Sequence, residues 1–219
     1  MENNKEELKK LESQYNTYMK IIKFILLIVA FVLLILATRF FYIFSIMSKS
    51  IKTEYADLTN KNMKKTYSYT YPDYPEENID CIYYCKDGIT VMETSFFKNY
   101  TIDNKIYNFY PFAEEKTYSV HDNVQSETWE DLSFFKKIAV IAVKTSSYFT
   151  SNIGHEELNG QKCIVFTEEN EKAYYDAKTC LHIRTLSSNS ITDIKYEFDV
   201  VTDEDIKLPD LSEYVLDED

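Results

Sequence analysis

Three histidines and four cysteines carry the most versatile chemistry in this chain, and their spacing decides what is open to them. His121, His155 and His182 stand far apart. None falls in an H-x-x-x-H, H-E-x-x-H or C-x-x-C pattern, the spacings that aim several ligands at one metal. Exposed or hydrogen-bonded histidines are the simpler reading. The chain has no G-x-S-x-G elbow, no P-loop and no dinucleotide fingerprint. Glu156-Glu157 and Glu168-Glu169 flank expected turns and read as solvated charge. Carboxylates converging from distant strands remain the one hydrolytic route that motifs do not address. The expectation is a non-catalytic protein with no metal and no cofactor.

The cysteines, Cys81, Cys85, Cys163 and Cys180, all follow the one long apolar segment. Cys81 and Cys85 share one face of a strand. At about 3.3 Å per residue they stand too far apart for a mutual disulfide unless the strand bends. Cys163 and Cys180 lie in strands separated by a third, so a bridge between them needs a turn that brings them together. That pair is the candidate disulfide, with free buried thiols as the alternative. Asn99-Tyr100-Thr101 fits a glycosylation sequon, a triplet that also arises by chance.

The elements that must position these groups begin with a membrane-type segment. From Phe24 to Met47 the only charged residue is Arg39. A helix of that length, at about 1.5 Å per residue, crosses a hydrocarbon core of roughly 30 Å. The run is longer than a signal-peptide core, and the bulky Thr38–Tyr42 segment offers no small-residue cleavage site. An uncleaved single-pass anchor is expected. Phe40, Phe41, Tyr42 and Phe44 form an aromatic collar at its far end, where Arg39 can snorkel. Lysines flank both ends, so the positive-inside rule does not separate the orientations. The even cysteine count beyond the span favours the tail inside and the domain outside. The division expected is a tail (1–23), a transmembrane helix (24–47), a juxtamembrane stalk (48–65) and one outer domain (66–219). In the tail, Leu8, Leu11, Tyr15, Tyr18 and Ile22 make a helical stripe. It reads as an amphipathic lead-in, or as a weak dimer contact.

Charge is split. Residues 1–52 hold eight Lys/Arg against four Asp/Glu, and residues 53–219 hold 16 against 32. The acidic domain argues against nucleic acid, whose phosphates need a basic patch. It also keeps most of the domain off anionic headgroups. With 19 Tyr, 14 Phe and only 3 Gly, the domain is suited to half-buried aromatic strands.

Thr66–Tyr71 alternates hydroxyl and aromatic, a period-two pattern. Asp87-Gly88, Asp103-Asn104-Lys105 and Asn159-Gly160 each separate two β-type runs and predict hairpins. Strands also follow over Lys116–His121, Lys172–Asp176, Cys180–Leu186 and Ser190–Val201. Ser126–Lys144 repeats its apolar residues at helical spacing, with Ser126 or Thr128 as cap and Glu127, Glu130 and Asp131 in the first turn. A strand over Ile138–Val143 is the alternative. The fold expected is mainly β (α+β): a curved antiparallel sheet of about nine to eleven strands, forming an incomplete barrel with a helical lid, preceded by one transmembrane helix.

The last third then shows a family pattern. Gly154-His155-Glu156-Glu157-Leu158-Asn159-Gly160-Gln161-Lys162-Cys163-Ile164-Val165-Phe166 leads to Ala173-Tyr174-Tyr175-Asp176-Ala177-Lys178-Thr179-Cys180-Leu181-His182-Ile183-Arg184. Asp203-Glu204-Asp205-Ile206-Lys207-Leu208-Pro209 closes it. This resembles the LolA-like lipoprotein carriers and their RseB-like sensor relatives over about residues 150–210, with Cys180 where that pattern carries glycine and His182 where it carries proline. The resemblance implies an incomplete barrel around an apolar cavity that binds acyl chains, lipoproteins or other lipid-linked molecules without catalysis. On that basis Trp129, Phe134 and Phe135 are the lid and cavity candidates, although packing of a helix on a sheet also accounts for them. An anchored chain does not shuttle, so a tethered receptor, chaperone or sensor is the form implied, with membrane lipid or lipoprotein as partner. A structural ectodomain with a filled core, recruiting a protein through its acidic surface or its tail, is the alternative.

Overall fold

The computed structural model describes residues 2–55, 61–111, 113, 116–123, 129 and 132–217. The chain forms two compact units, Met1–Phe44 and Ser45–Asp219.

One helix, α1 (Glu2–Tyr55), makes up the first unit and continues into the second. Its 54 residues contain neither Gly nor Pro, so nothing interrupts the i to i−4 ladder. Thr38 and Thr53 return their hydroxyls to the carbonyls of Leu34 and Lys49, at 2.8 and 2.9 Å. The tail stripe and the apolar run are therefore one rod. Gln14–Glu54 is the one described helix long and apolar enough to cross a membrane, as an anchor or a signal sequence would. Within it the Phe40 ring meets those of Phe41 and Phe44.

The second unit is a single twelve-stranded, curved and unclosed sheet. Its strands are β1 (Met63–Thr70), β2 (Ile79–Lys86), β3 (Ile89–Glu93), β4 (Lys98–Ile102), β5 (Lys105–Tyr110) and β6 (Thr117–Asp122). Beyond helix α2 (Phe134–Ser147) come β7 (Asn152–Leu158), β8 (Gln161–Thr167), β9 (Glu171–Asp176), β10 (His182–Ser187), β11 (Ile191–Phe198) and β12 (Val215–Leu216). The spatial order is β12-β6-β5-β4-β3-β2-β1-β11-β10-β9-β8-β7. Two hairpin meanders thus meet at the β1–β11 pair, where Met63 faces Phe198 and Thr70 faces Ile191.

The hairpin turns follow their sequences. Asp87-Gly88 and Asn159-Gly160 have φ of +50/+80 and +51/+81°, the left-handed pairs of two-residue turns that match strand twist. Asp103-Asn104 does the same at +48/+63°.

Several boundaries differ from expectation. The stalk was placed to residue 65, but β1 already starts at Met63. Helix α2 starts at Phe134, capped by Ser133, whose Oγ accepts from the Lys136 N–H at 3.3 Å. The proposed caps Ser126 and Thr128, with Glu127, Glu130 and Asp131, lie outside the described residues. Ile138–Val143 is helix rather than strand. The twelfth strand was not expected. Val215–Leu216 runs parallel to β6, because the C-terminal segment crosses the sheet and returns along its free edge.

Register pairs divide the sheet into two faces. On the first meander, Val91, Tyr100 and Phe109 point to one face and are covered by Val201 and Ile206 of the C-terminal segment. Tyr214 caps this cluster, its ring 5.0 Å from Phe109 in an edge-to-face contact. Each large buried side chain here contributes about 1.5–3 kcal/mol. The second meander is covered on the opposite face, where helices take the place of the tail.

Candidate functional site

That opposite face, over β7–β11 and β1, is aromatic. Ile164 faces Tyr175 across the β8–β9 pair and Phe166 faces Ala173, all four buried. Tyr148, just past α2, lays its ring 4.7 Å from Phe166 and joins its hydroxyl to that of Tyr175 at 3.1 Å. His182 stacks on Tyr175 at 5.0 Å. Its Nε2 lies 3.1 Å from the Arg184 carbonyl and 2.9 Å from Thr185 Oγ1. Burial holds the imidazole below its usual pKa, an effect that the nearby Glu54 opposes and Lys144 reinforces. Burial likewise drives the Tyr175 hydroxyl well above the ordinary phenol range, so both groups are neutral hydrogen-bonding residues at neutral pH.

The end of α1 is seated in this unit. Ile46, Met47, Ser50 and Ile51 are buried, and Tyr196 of β11 donates to Glu54 Oε1 at 3.0 Å. Lys49 Nζ bonds the Lys178 carbonyl in the β9–β10 turn. Ile46 and Met47, which the sequence reading assigned to the span, are thus core residues of the sheet unit. The Ser50 hydroxyl is buried with no hydrogen-bond partner among the described residues. Lys65, also buried, places its ammonium 4.6 Å from the Tyr67 ring and 5.0 Å from that of Tyr196.

Helix α2 is only partly seated. Ile141 and Thr145 are buried, and Thr145 Oγ1 donates to the Ile141 carbonyl at 2.7 Å. Phe134 is 70% exposed, Phe135 81% and Val143 68%, with Ile138 and Val140 also open to solvent. The two phenylalanine rings meet edge to face at 5.8 Å. Trp129 is half-buried, with Lys137 Nζ 5.9 Å from its ring. Trp129, Phe134 and Phe135, chosen from sequence, are thus neighbours along the chain, but the two phenylalanines pack into no core. Val140 and Val143 extend the exposed apolar surface. A small recess of about 150 Å³ lies between the end of α2 and β8–β9, lined by Ser147, Tyr148, Phe166 and Ala173 among others.

The larger recesses have another character. One of about 870 Å³ crosses the other face of the second meander, with Lys64, Thr66, Arg184, Asp193 and Lys195 on its walls. Two of its cations are paired with acids: Arg184 forks onto Asp193 through Nε and Nη2 at 2.5 and 2.8 Å, and Lys195 meets Glu197 at 3.0 Å. Another, of about 790 Å³, is lined by Glu168, Glu169 and Glu171 with neighbouring polar residues.

The remaining sequence candidates are dispersed. His121 ends a polar ladder, Asn99–Asn108–Ser119–His121, joined by contacts of 2.6, 3.4 and 3.1 Å. The sequon residue Asn99 therefore uses its amide within the sheet. His155 is exposed on β7. Among the described residues no three His, Cys, Asp or Glu side chains are grouped to hold a metal ion. All four cysteines are free thiols, so the Cys163–Cys180 bridge is not formed. Cys163 faces Asp176 across the β8–β9 pair, whereas Cys180 sits in the turn beyond it at φ +59°. That left-handed conformation is the one glycine adopts without strain.

No protein-family model and no curated protein matches the chain. Solved structures similar to it include the following two. One is a LolA superfamily protein from Nitrosomonas europaea, 8% identical, covering 75% of this chain and 96% of that one, with a TM-score of 0.28. The other is a DUF1329 family protein from Desulfovibrio piger, 10% identical, covering 73% and 95%, with a TM-score of 0.23. At TM-scores this low the likeness carries no argument, and the architecture rests on the strand order and register of this chain.

Proposed function

We propose that this is a non-catalytic binding protein, held at a membrane by α1 with its sheet unit outside, that takes the acyl chains of lipids or lipoproteins. The observation that carries the reading is the apolar surface of α2. Phe134, Phe135, Ile138, Val140 and Val143 stand in solvent while Ile141 and Thr145 seat the same helix. Each buried CH₂ of an acyl chain contributes about 0.8 kcal/mol, so a chain laid along these residues gains what they lack as the protein stands. Trp129, Phe134 and Phe135 are the contact residues in this reading, and α2 is the movable cover.

The test uses the full chain in proteoliposomes and a fluorescent diacyl lipopeptide. The expected result is saturable binding above the signal of protein-free liposomes, weakened about tenfold or more by Phe135→Ser with Val143→Ser. Uptake that rises linearly and equally with and without protein would sink the reading.

One observation favours a second reading. Ile46, Met47 and Ile51 of the protein's own helix are buried, and Glu54 at the end of that helix accepts from Tyr196 on the aromatic face. In that form the unit is an interaction ectodomain that recruits a protein through its acidic surface, and such binding weakens as salt screens the charge. Crosslinking to one protein, lost at high ionic strength, with no saturable lipopeptide binding, is its signature.

A further inference from the structure

We propose that β7 is a docking edge, to which an extended segment of a partner protein bearing lysine or arginine adds as a further strand. The inference goes beyond acyl binding. It rests on the second reading above, recruitment of a protein through the acidic surface, and gives that recruitment a place on the sheet.

The backbone of β7 is the first observation. The strand ends the sheet, with β8 as its one hydrogen-bonded neighbour. The Asn159-Gly160 turn closes on Leu158 and Gln161 as a bonded pair. Bonded and non-bonded pairs then alternate along an antiparallel ladder. Glu157, His155 and Ile153 fall in the non-bonded pairs, opposite Lys162, Ile164 and Phe166. Lys162 fixes this phase independently, because its carbonyl turns away from β7 and accepts from the Ala177 N–H at 2.9 Å. Ile153, His155 and Glu157 therefore direct N–H and C=O to the free edge, where no described group meets them.

The second is that this edge lacks most of the usual guards. Sheet edges are blunted by shortness, by proline, by a bulge or by lysine. The opposite edge strand, β12, is two residues long. β7 has seven residues, Asn152–Leu158, without Pro, Lys or Arg. It keeps an unbroken register with β8. All but Ile153 and Leu158 are exposed, and a Cβ added at Gly154 would meet nothing within 4 Å.

The third is charge, and it selects the occupant. The charged residues of β7 are Glu156 and Glu157. At the start of the strand, Asn152 borders the recess of about 790 Å³ that Glu168, Glu169 and Glu171 line. Lys172 is already bonded to Glu156 at 2.9 Å, and Lys162 is the cation across from Glu157. The acids outnumber these bases, so an incoming strand with basic side chains is attracted and an acidic one repelled. A second copy of this chain is disfavoured, because edge-to-edge pairing brings two Glu156-Glu157 sets together. In strand addition the main chain supplies affinity and the side chains supply selection.

The test uses the full chain in detergent micelles and a short fluorescein-labelled peptide of alternating valine and lysine, read by anisotropy. One control peptide carries glutamate for lysine. Another is N-methylated at each backbone amide, which keeps the charge and removes the donors. The lysine peptide is expected to bind saturably, and each control about tenfold or more weaker. His155→Pro removes an outward N–H and none of the bonds to β8, a position where edge strands tolerate proline. It should weaken binding by about tenfold with the circular dichroism unchanged. Glu157→Lys with Glu169→Lys should invert the preference between the lysine and glutamate peptides, and this pair carries the test should His155→Pro not fold. Absence of saturable binding to the folded chain overturns the proposal. So does an N-methylated peptide that binds as tightly as its parent, since charge alone then accounts for the contact. Self-association in sedimentation that His155→Pro abolishes, without peptide binding, assigns the edge to a second copy and overturns the partner's chemistry. Crosslinking to one protein that His155→Pro leaves intact keeps the acidic-surface reading and defeats β7 as its place.

Discussion

Tyr196 and Glu54, 142 residues apart, are joined by a 3.0 Å hydrogen bond from the phenol to the carboxylate. The bond ties the last turn of α1 to the middle of the sheet. Burial raises the Tyr196 pKa far beyond the usual phenol range, and the charge of Glu54 beside it adds to the effect. The phenol therefore stays a donor at any physiological pH. A bond to a charged group is worth about 1.5–3 kcal/mol. Tyr196→Phe is expected to lower stability by that amount in denaturant titrations, and Glu54→Gln by less. In a double-mutant cycle the two losses should fall short of additive; strict additivity would mean the pair is not coupled.

Asp176 organises the β9–β10 turn. It accepts from the backbone N–H groups of Lys178 and Thr179 at 3.1 and 2.5 Å, from the Thr179 hydroxyl at 2.6 Å and from Gln161 Nε2 at 2.7 Å. Burial works against its charge, but these hydrogen bonds outweigh it and hold the carboxyl below its usual pKa. A depressed native pKa gives stability that is present above the unfolded value, near 3.8, and is lost as pH falls through the native one. Asp176→Asn should cost about 1–3 kcal/mol at neutral pH. It should also flatten the acid limb of the stability curve, which thermal melts between pH 2 and 6 would follow.

His182 acts in the same direction at higher pH. Its pKa is lowered by burial against the ring of Tyr175. Glu54 and the Arg184 carbonyl oppose that shift, while Lys144 and Lys65 reinforce it. The folded protein therefore favours neutral imidazole. The unfolded chain takes up its proton first, near 6.5. Stability is full above that value and declines as pH falls below it, until the native pKa is passed. His182→Gln should remove this part of the pH dependence. A wild-type melting temperature that does not change between pH 7.5 and 5.5 would count against it.

Two glycines separate backbone strain from packing. Gly160 sits at φ +81° in the β7–β8 turn, whereas Gly154 of β7 has no positive φ, and an added Cβ meets nothing within 4 Å at either. Gly160→Ala is expected to cost about 1 kcal/mol through conformation alone. Gly154→Ala should be neutral or stabilising by a few tenths, because strands disfavour glycine. Equal effects at the two sites in urea titrations would show that contacts, and not φ, decide.

Much of the second unit is written locally. Asp87-Gly88, Asp103-Asn104 and Asn159-Gly160 specify their hairpins because a two-residue turn needs positive φ at both positions. Period-two alternation on either side then aligns the partner strands. The long helix follows from the absence of any Gly or Pro before residue 72. The boundaries of α2 were less legible, because Ile138–Val143 is apolar without a break and fits either period. Its cap, Ser133, became visible only where the backbone turned.

The sequence by itself determined the helix rod, the hairpins, the predominance of β structure and the scarcity of catalytic motifs, since each depends on neighbours within a few residues. Tertiary structure alone decided which face each meander covers, and with what. It placed Met47 in the core rather than the span, set Glu54 on Tyr196, folded the C-terminal segment over Phe109 and left Phe135 in solvent. These outcomes depend on long-range burial. A local pattern marks a residue as apolar, but only the assembled sheet decides how many such residues find cover.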